Sequence, residues 1–371
     1  MGSARGTMEN LALRRSAARA LSPDPAFWAG RRVLVTGHTG FKGSWLLVLL
    51  DLLGARVTGV ALEPGTTPSM FDLIGGTSLC DHHISDIGDA SSIEAIFAQA
   101  KPEIVLHLAA QPLVRASYAD PLGTYRTNVM GTAHVLEACR KVTSVRTIVS
   151  VTTDKCYAND GRSVGYREDA PLGGHDPYSN SKACAELVSA CWRDSFLEDR
   201  GVGLATARAG NVIGGGDWSA DRLVPDAIRA FSAGRVLEVR NPQAVRPWQH
   251  VLEPLIGYLL LTEALSANPA VFGKGWNFGP ATADMASVRE VIDLLAGHWG
   301  ATQEWTMQAG KHPHEAAMLT LDSSAAAEAL GWRPRLSLDM ALALTAHWYR
   351  ADDKNAVTRT QAEDFLAMVP A

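Results

Sequence analysis

The chain has 371 residues, of which 47% are hydrophobic and 20% charged, and its formal net charge is −5. Those values describe a globular chain of one large or two ordinary domains and exclude a disordered one. They also leave no global field to attract nucleic acid or a membrane surface, so an anionic ligand has to meet locally placed Arg and Lys.

The five cysteines (Cys80, Cys139, Cys156, Cys184, Cys191) are scattered and form no C-x-x-C pair. This argues against a disulfide framework or a zinc site and suits a reducing, cytoplasmic compartment. No apolar run reaches the ~20 residues of a membrane span; the longest, Trp45 to Leu53, is interrupted by Asp51. Residues 1–26 read as a disordered extension or tag, because Met1 to Ala20 is rich in Ala and Arg and has no apolar core of a secretory signal.

Regular structure is expected from Arg31. Arg32 to Thr36 is a β-branched run, followed by a glycine loop and an apolar helix over Trp45–Leu53 that Gly54 ends. Arg56 to Leu62 reads as a second strand, and Ile84 to Ile87 as the end of a third. Ile93, Ile96 and Phe97 are spaced for a helix over Ala90–Ala100, which Pro102 stops. Ile104 to Leu108 is apolar throughout, as a strand buried on both faces should be. A helix around Thr127–Arg140, a strand Thr147–Val151, a helix Ser181–Phe196 and a strand Gly203–Arg208 follow.

That alternation predicts an α/β fold of Rossmann type, a doubly wound parallel sheet. After Asn211 the elements shorten, with helices expected near Pro254–Leu265, Ser287–Gly300 and Leu338–Arg350. The expected organisation is a dinucleotide-binding domain over 27–210 and a smaller, mainly substrate-binding α/β domain over 211–371, with some interleaving.

Gly37-His-Thr-Gly40-Phe-Lys-Gly43 follows a strand and opens a helix, where backbone N–H groups can approach a pyrophosphate. Glu63 ends the second strand about twenty residues on; it either accepts from a ribose 2′-hydroxyl, favouring NAD over NADP, or is a solvated loop residue. Asp86 and Ile87 suit an adenine pocket.

Tyr178 and Lys182 stand one helical turn apart on one face. A carbinol losing hydride needs a base for its hydroxyl proton. Bringing tyrosine from about 10 to near 7 takes about 4 kcal/mol of differential interaction, within reach of Lys182 and a cationic nicotinamide ring. Thr152-Thr153-Asp154-Lys155 follows the fifth strand, where ligands of a doubly wound sheet sit. Asp154 and Lys155 are there either a proton donor and a base or an ordinary strand-end ion pair.

Taken with His107-Leu-Ala-Ala-Gln111, Thr127-Asn-Val-Met-Gly131, R-A-G-N-V-I-G-G-G-D-W (208–218) and R-P-W-Q-H-V-L-E-P (246–254), these segments resemble extended short-chain dehydrogenases acting on nucleotide sugars. Within that family they are most similar to the 4,6-dehydratases that take CDP-glucose. The resemblance runs from about Phe27 to Ala346 and implies NAD, held by Gly37, Thr39, Gly40, Phe41, Gly43, Glu63, Asp86, Ile87, Leu108, Ala109, Ala110, Gln111, Asn128, Thr152, Tyr178 and Lys182. It implies catalysis by Thr153, Asp154, Lys155, Tyr178 and Lys182, and substrate contacts from Gln111, Asn211, Arg222, Arg246 and His314.

The implied cycle oxidises C4, eliminates water across C5–C6 with Asp154 as acid, and returns hydride to C6. Lys155 stands where the wider family carries glutamate. Its use as the C5 base requires loss of its charge, which Lys182 and the nicotinamide are expected to favour. The H-P-H-E-A segment (312–316) replaces an arginine-bearing stretch common in related dehydratases, and its H-x-H-E spacing is not that of a zinc site. A nucleotide-sugar 4-epimerase or decarboxylase is the alternative, although neither needs an acid at C6. A protein that merely senses NAD would not need an intact Tyr–Lys pair. A homodimer through the helices near Thr127–Arg140 and Ser181–Phe196 is the implied assembly.

Overall fold

The computed structural model describes residues 22–162, 164–281, 284–301, 305–307 and 319–368. Its main sheet has seven strands: β1 (Arg32–Thr36), β2 (Arg56–Ala61), β3 (Asp81–Ile84), β4 (Ile104–His107), β5 (Thr147–Val151), β6 (Gly203–Ala209) and β10 (Gly275–Phe278), in the order β3-β2-β1-β4-β5-β6-β10. Every pairing in it is parallel. The order reverses between β1 and β4, and such a switch point leaves a crevice at the carboxyl ends of the strands. β4 and β5 are buried along their full length, which explains their unbroken apolar runs.

Helices α1 (Phe41–Leu52), α2 (Ala90–Ala100), α3 (Thr132–Lys141) and α4 (Pro177–Trp192) connect these strands. α1 buries Trp45 through Leu50 completely. It shows no amphipathic stripe because the sheet covers one side and α9 (Lys354–Ala367) the other, where Arg359 bonds Asp51 at 2.7 Å.

The third strand lies earlier than expected. β3 ends at Ile84 and the chain turns at Asp86, whose carboxylate accepts from Gly88 N–H at 2.8 Å. As the edge strand of sequence DHHI it has little apolar pattern to mark it. The expected helix at Thr127 begins with a π-helical turn over Arg126–Gly131 before α3.

The second half supplies β7 (Asn211–Ile213), α5 (Leu223–Ser232), β8 (Leu237–Val239), β9 (Val245–His250), α6 (Leu252–Ala267), β11 (Met285–Ser287), α7 (Val288–Trp299), β12 (Trp305–Met307) and α8 (Leu338–Arg350). Small sheets β11-β9-β7 and β12-β8 form there. The halves interleave, because α6 packs on β5 and β6 and β10 then joins the main sheet beside β6.

Residues 22–26 are tied to the body rather than free. Ser22 Oγ donates to the Leu366 carbonyl at 2.8 Å, and Asp24 N–H donates to Glu263 Oε1 at 2.8 Å. Trp28 Nε1 donates to the same oxygen at 2.6 Å. Burial pushes Glu263 up to about 7 against those two bonds, and likewise Glu253, which accepts from Arg335 N and Leu336 N.

A carboxyl whose folded value is raised contributes stability below its unfolded value near 4.5 and loses it as pH climbs toward 7. Glu263→Gln, which mimics the protonated form, should therefore lose less stability than the wild type between pH 5 and 7.5, by on the order of 1–2 kcal/mol. Urea unfolding at several pH values measures this, and parallel pH profiles for the two proteins would contradict it.

Candidate active site

A cavity of about 2030 Å³ opens over the carboxyl ends of β1, β4, β5 and β6. Its floor is the glycine loop. Gly37 has φ +77°, and a Cβ there would stand 2.7 Å from Ala109 N, so the loops after β1 and β4 touch backbone to backbone. A Cβ on Gly43 would stand 2.1 Å from the Gly37 carbonyl, so the turn closes only without one. Gly40 is the N-cap of α1, and its lack of a side chain leaves the first-turn N–H groups without a side-chain cap.

His107 pins this floor from below. Its Nδ1 pairs with Thr36 Oγ1 at 2.6 Å and its Nε2 with Thr132 Oγ1 at 3.0 Å, and burial lowers it to about 3, so the ring is neutral. Thr36 Oγ1 also accepts from Ala109 N–H at 3.1 Å. The His107–Gln111 segment is thus a structural clasp on the loop.

Thr152, Thr153, Asp154 and Lys155 line the cavity immediately past β5, and Tyr178 and Lys182 face them from α4. Asp154 is 1% exposed and accepts from Thr153 Oγ1 at 2.9 Å. Lys155 Nζ lies 3.4 Å from Asp154 Oδ1 and 3.4 Å from Asn211 Oδ1. Its ion-pair partner is therefore a carboxylate. Burial raises Tyr178, opposed by Lys155 and by a hydrogen bond from Thr153. Lys182 is lowered to about 8 by burial, with Glu186 opposing, and its Nζ donates to the Val151 carbonyl at 3.2 Å.

Under these side chains lies a buried network that sequence reasoning missed. Glu186 follows Lys182 by four residues on α4, and its carboxylate accepts from Arg208 at 3.0 and 2.8 Å and from Thr206 Oγ1 at 2.6 Å. It also accepts from Thr152 Oγ1. Arg208 donates to Tyr157 OH at 2.7 Å, and Tyr157 OH donates to Asn277 Oδ1 at 2.7 Å. The i, i+4 spacing of Lys182 and Glu186 was the available signal.

Lys42 was missed as well. It lines the cavity, donates to Tyr258 OH at 3.2 Å, and is lowered to about 7 by burial together with the nearby cations Arg222 and Lys182.

Of the residues expected at the dinucleotide, Gly37, Thr39, Gly40, Phe41, Gly43, Asp86, Ile87, Leu108, Ala109, Ala110 and Thr152 line the cavity. Glu63, Gln111 and Asn128 are not part of that wall. Glu63 is exposed past the end of β2. Gln111 spends its side chain on Thr124 Oγ1 (2.9 Å) and Leu113 N. Asn128 bridges Gln111 N (2.8 Å), the Gln111 carbonyl (3.1 Å) and Ser181 Oγ (2.9 Å), so it shapes the loop from behind.

At the other end, Asn211, Arg222 and Arg246 face the cavity with Arg235 and Arg240, the local positive charge that a net-acidic chain needs for an anion. Asp217 holds Arg222 at 3.1 Å. His314 lies outside the described residues.

The family model described as GDP-mannose 4,6 dehydratase matches residues 34–345. CDP-glucose 4,6-dehydratase of Salmonella typhimurium strain LT2 is 48% identical over 353 residues, covering 93% of this chain and 98% of the relative. dTDP-D-glucose 4,6-dehydratase of Mus musculus is 26% identical over 340 residues, covering 88% and 90%. Among solved structures, DesIV, a dTDP-glucose 4,6-dehydratase from Streptomyces venezuelae with NAD bound, superposes with a TM-score of 0.74 at 26% identity, covering 86% of this chain and 97% of that one.

Removing the guanidinium from the Glu186 network leaves a buried carboxylate without its counter-charge. Arg208→Met should cost about 3–5 kcal/mol of unfolding free energy, and a loss under about 1 kcal/mol in denaturant melts would show that the network does not hold the strand ends.

Proposed function

The chain belongs to the GDP-mannose 4,6 dehydratase family, and from that premise we propose that it is an NAD-dependent dehydratase of CDP-glucose, giving CDP-4-keto-6-deoxyglucose. The observation that carries the reading is the meeting of Asp154 and Lys155 with Tyr178 and Lys182 in one cavity. An epimerase needs the second pair and has no use for an acid at C6. The 48% identity to the Salmonella enzyme supports CDP as the nucleotide.

The floor suits a dinucleotide. Gly37 and Gly43 leave a cradle that Cβ atoms would fill, and the open N-terminus of α1 favours a pyrophosphate there. When bound, NAD supplies the acceptor for the C4 hydride and its return to C6.

Tyr178 receives the 4-hydroxyl proton. Its burial disfavours the phenolate, and the Lys155 charge with a hydrogen bond from Thr153 opposes that cost. Buried Lys182, lowered only to about 8, keeps most of its charge at neutral pH and adds to the offset. At C5 and C6, Lys155 and Asp154 act as a pair. Passing one proton from Lys155 to Asp154, across 3.4 Å, turns an ion pair into an amine and an acid, the two forms that elimination needs. The amine then takes the C5 proton and the acid protonates the departing C6 hydroxyl. Arg222 and Arg246 hold the diphosphate, where the guanidinium fork matches phosphate oxygens.

A homodimer is the assembly we infer, supported by exposed Met130, Leu187 and Phe196 in the segments 126–141 and 177–197. A cytoplasmic setting agrees with the cysteines, which are all free. No helix among the described residues is long and apolar enough to cross a membrane.

Incubation with CDP-glucose should yield a product lighter by one water, faster than with the UDP, GDP or dTDP sugars. An unchanged mass would refute dehydration. Asp154→Asn should lower product formation by about 10²–10⁴-fold and, because Asp154 is the group that takes the Lys155 proton, should slow solvent deuterium entry at C5 as well. Lys155→Ala should lose that deuterium incorporation. Normal C5 exchange in Lys155→Ala would take the base role from Lys155.

A further inference from the structure

Outside the cavity lining, three side chains converge from two places in the fold. His38 comes from the glycine loop after β1, while Cys80 and His82 come from the start of β3. His38 Nε2 and His82 Nδ1 are 2.6 Å apart, and the ligand atoms of all three residues lie within 4.8 Å of one another. None of the three lines the cavity.

The pocket around them is built for the rings. Gly59, the register partner of His82, leaves room for His38, whose ring carbons would stand 2.6 Å from a Cβ there. Phe71 packs edge-on to His38 at 5.3 Å and tilted over His82 at 4.9 Å, giving the cluster an apolar wall. The hydrogen bond between the rings accounts for two of the three groups. It leaves the Cys80 sulfur with a weak bond to the Gly76 carbonyl, at 3.6 Å, and a backbone hydrogen bond from Gly59. His38 is fully buried, whereas Cys80 and His82 are part-exposed, so an ion can arrive from solvent.

We propose that His38, Cys80 and His82 form a site for a soft divalent cation of the zinc class, with water completing the tetrahedron. Two imidazoles and one thiolate are the donor set such an ion prefers. Bond lengths of about 2.0 Å to nitrogen and 2.3 Å to sulfur set ligand atoms about 3.3–3.6 Å apart. The rings therefore separate by roughly 0.7 Å, and their mutual hydrogen bond is exchanged for two metal bonds. As the S–metal bond forms, the Cys80 S–H bond breaks and its proton goes to solvent, while both imidazoles bind neutral. The bound ion staples the glycine loop to the edge of the sheet without touching the cavity. Cysteine spacing argued against zinc because the site draws one cysteine and two histidines from two strand junctions, and C-x-x-C patterns do not see that.

The test uses the purified full-length chain after removal of metal by chelator. Added Co²⁺ should bind one per chain and give a thiolate-to-cobalt charge-transfer band, and Zn²⁺ should displace it. The band should vanish in Cys80→Ser and need at least about tenfold more Co²⁺ in His82→Gln. His83→Ala, which removes the ring that pairs with Asp81 at 3.2 Å, should leave it unchanged.

In unaltered protein, saturating Zn²⁺ should slow alkylation of Cys80 while exposed Cys191 reacts as before. Absence of the band, its persistence in Cys80→Ser, or lack of protection at Cys80 in the unaltered chain would each overturn the proposal. None of these readouts depends on the dehydratase reading.

Discussion

The bidentate bond between Glu186 and Arg208 is the constraint on which the catalytic arrangement depends. Glu186 belongs to α4, Arg208 to β6, and the same carboxylate accepts from Thr152 at the end of β5. One buried pair therefore fixes the spacing between the helix that carries Tyr178 and Lys182 and the strand end that carries Asp154 and Lys155. An ion pair this deep gains little over apolar packing. Its directional hydrogen bonds nevertheless hold three elements in one geometry, which apolar contact alone does not specify.

Burial then divides the work among the cationic side chains. Lys182 is buried and Lys42 partly so, and burial pushes them toward neutrality, to about 8 and about 7. The arginines at the far end of the cavity keep their charge whatever the surroundings. A single cavity can thus hold a diphosphate at one end and move protons at the other. Arginine serves where charge must be permanent, and lysine where it must be negotiable.

Most of the sheet was legible from sequence because β1, β4 and β5 are buried on both faces and therefore read as apolar runs. β3 was misplaced because an edge strand of sequence DHHI has no such requirement. The Tyr178–Lys182 pair and the residues after β5 could be found because helical spacing and strand-end location are local properties. Lys42 hid inside a motif read for its glycines. The Glu186–Arg208 bond joins residues 22 apart, and nothing in the spacing announces it. Gln111 and Asn128 were assigned to the ligand from the resemblance, whereas the Gln111 side chain is used by Thr124 and Leu113 N, and that of Asn128 by the Gln111 backbone and Ser181.

The late arrival of β10 has a consequence for how the molecule is made. Synthesis yields six strands of the main sheet by Ala209, yet the seventh begins only at Gly275. Until then β6 has an open edge, a template for mispairing. Asn277 of that last strand is also the residue that takes the Tyr157 hydroxyl, so the bracing of Arg208 is finished from the far half of the chain. The sheet of the dinucleotide-binding half is consequently completed only by the second half of the chain. A nascent chain stalled before residue 278 would hold nearly all the catalytic side chains with the scaffold beneath them still unlocked.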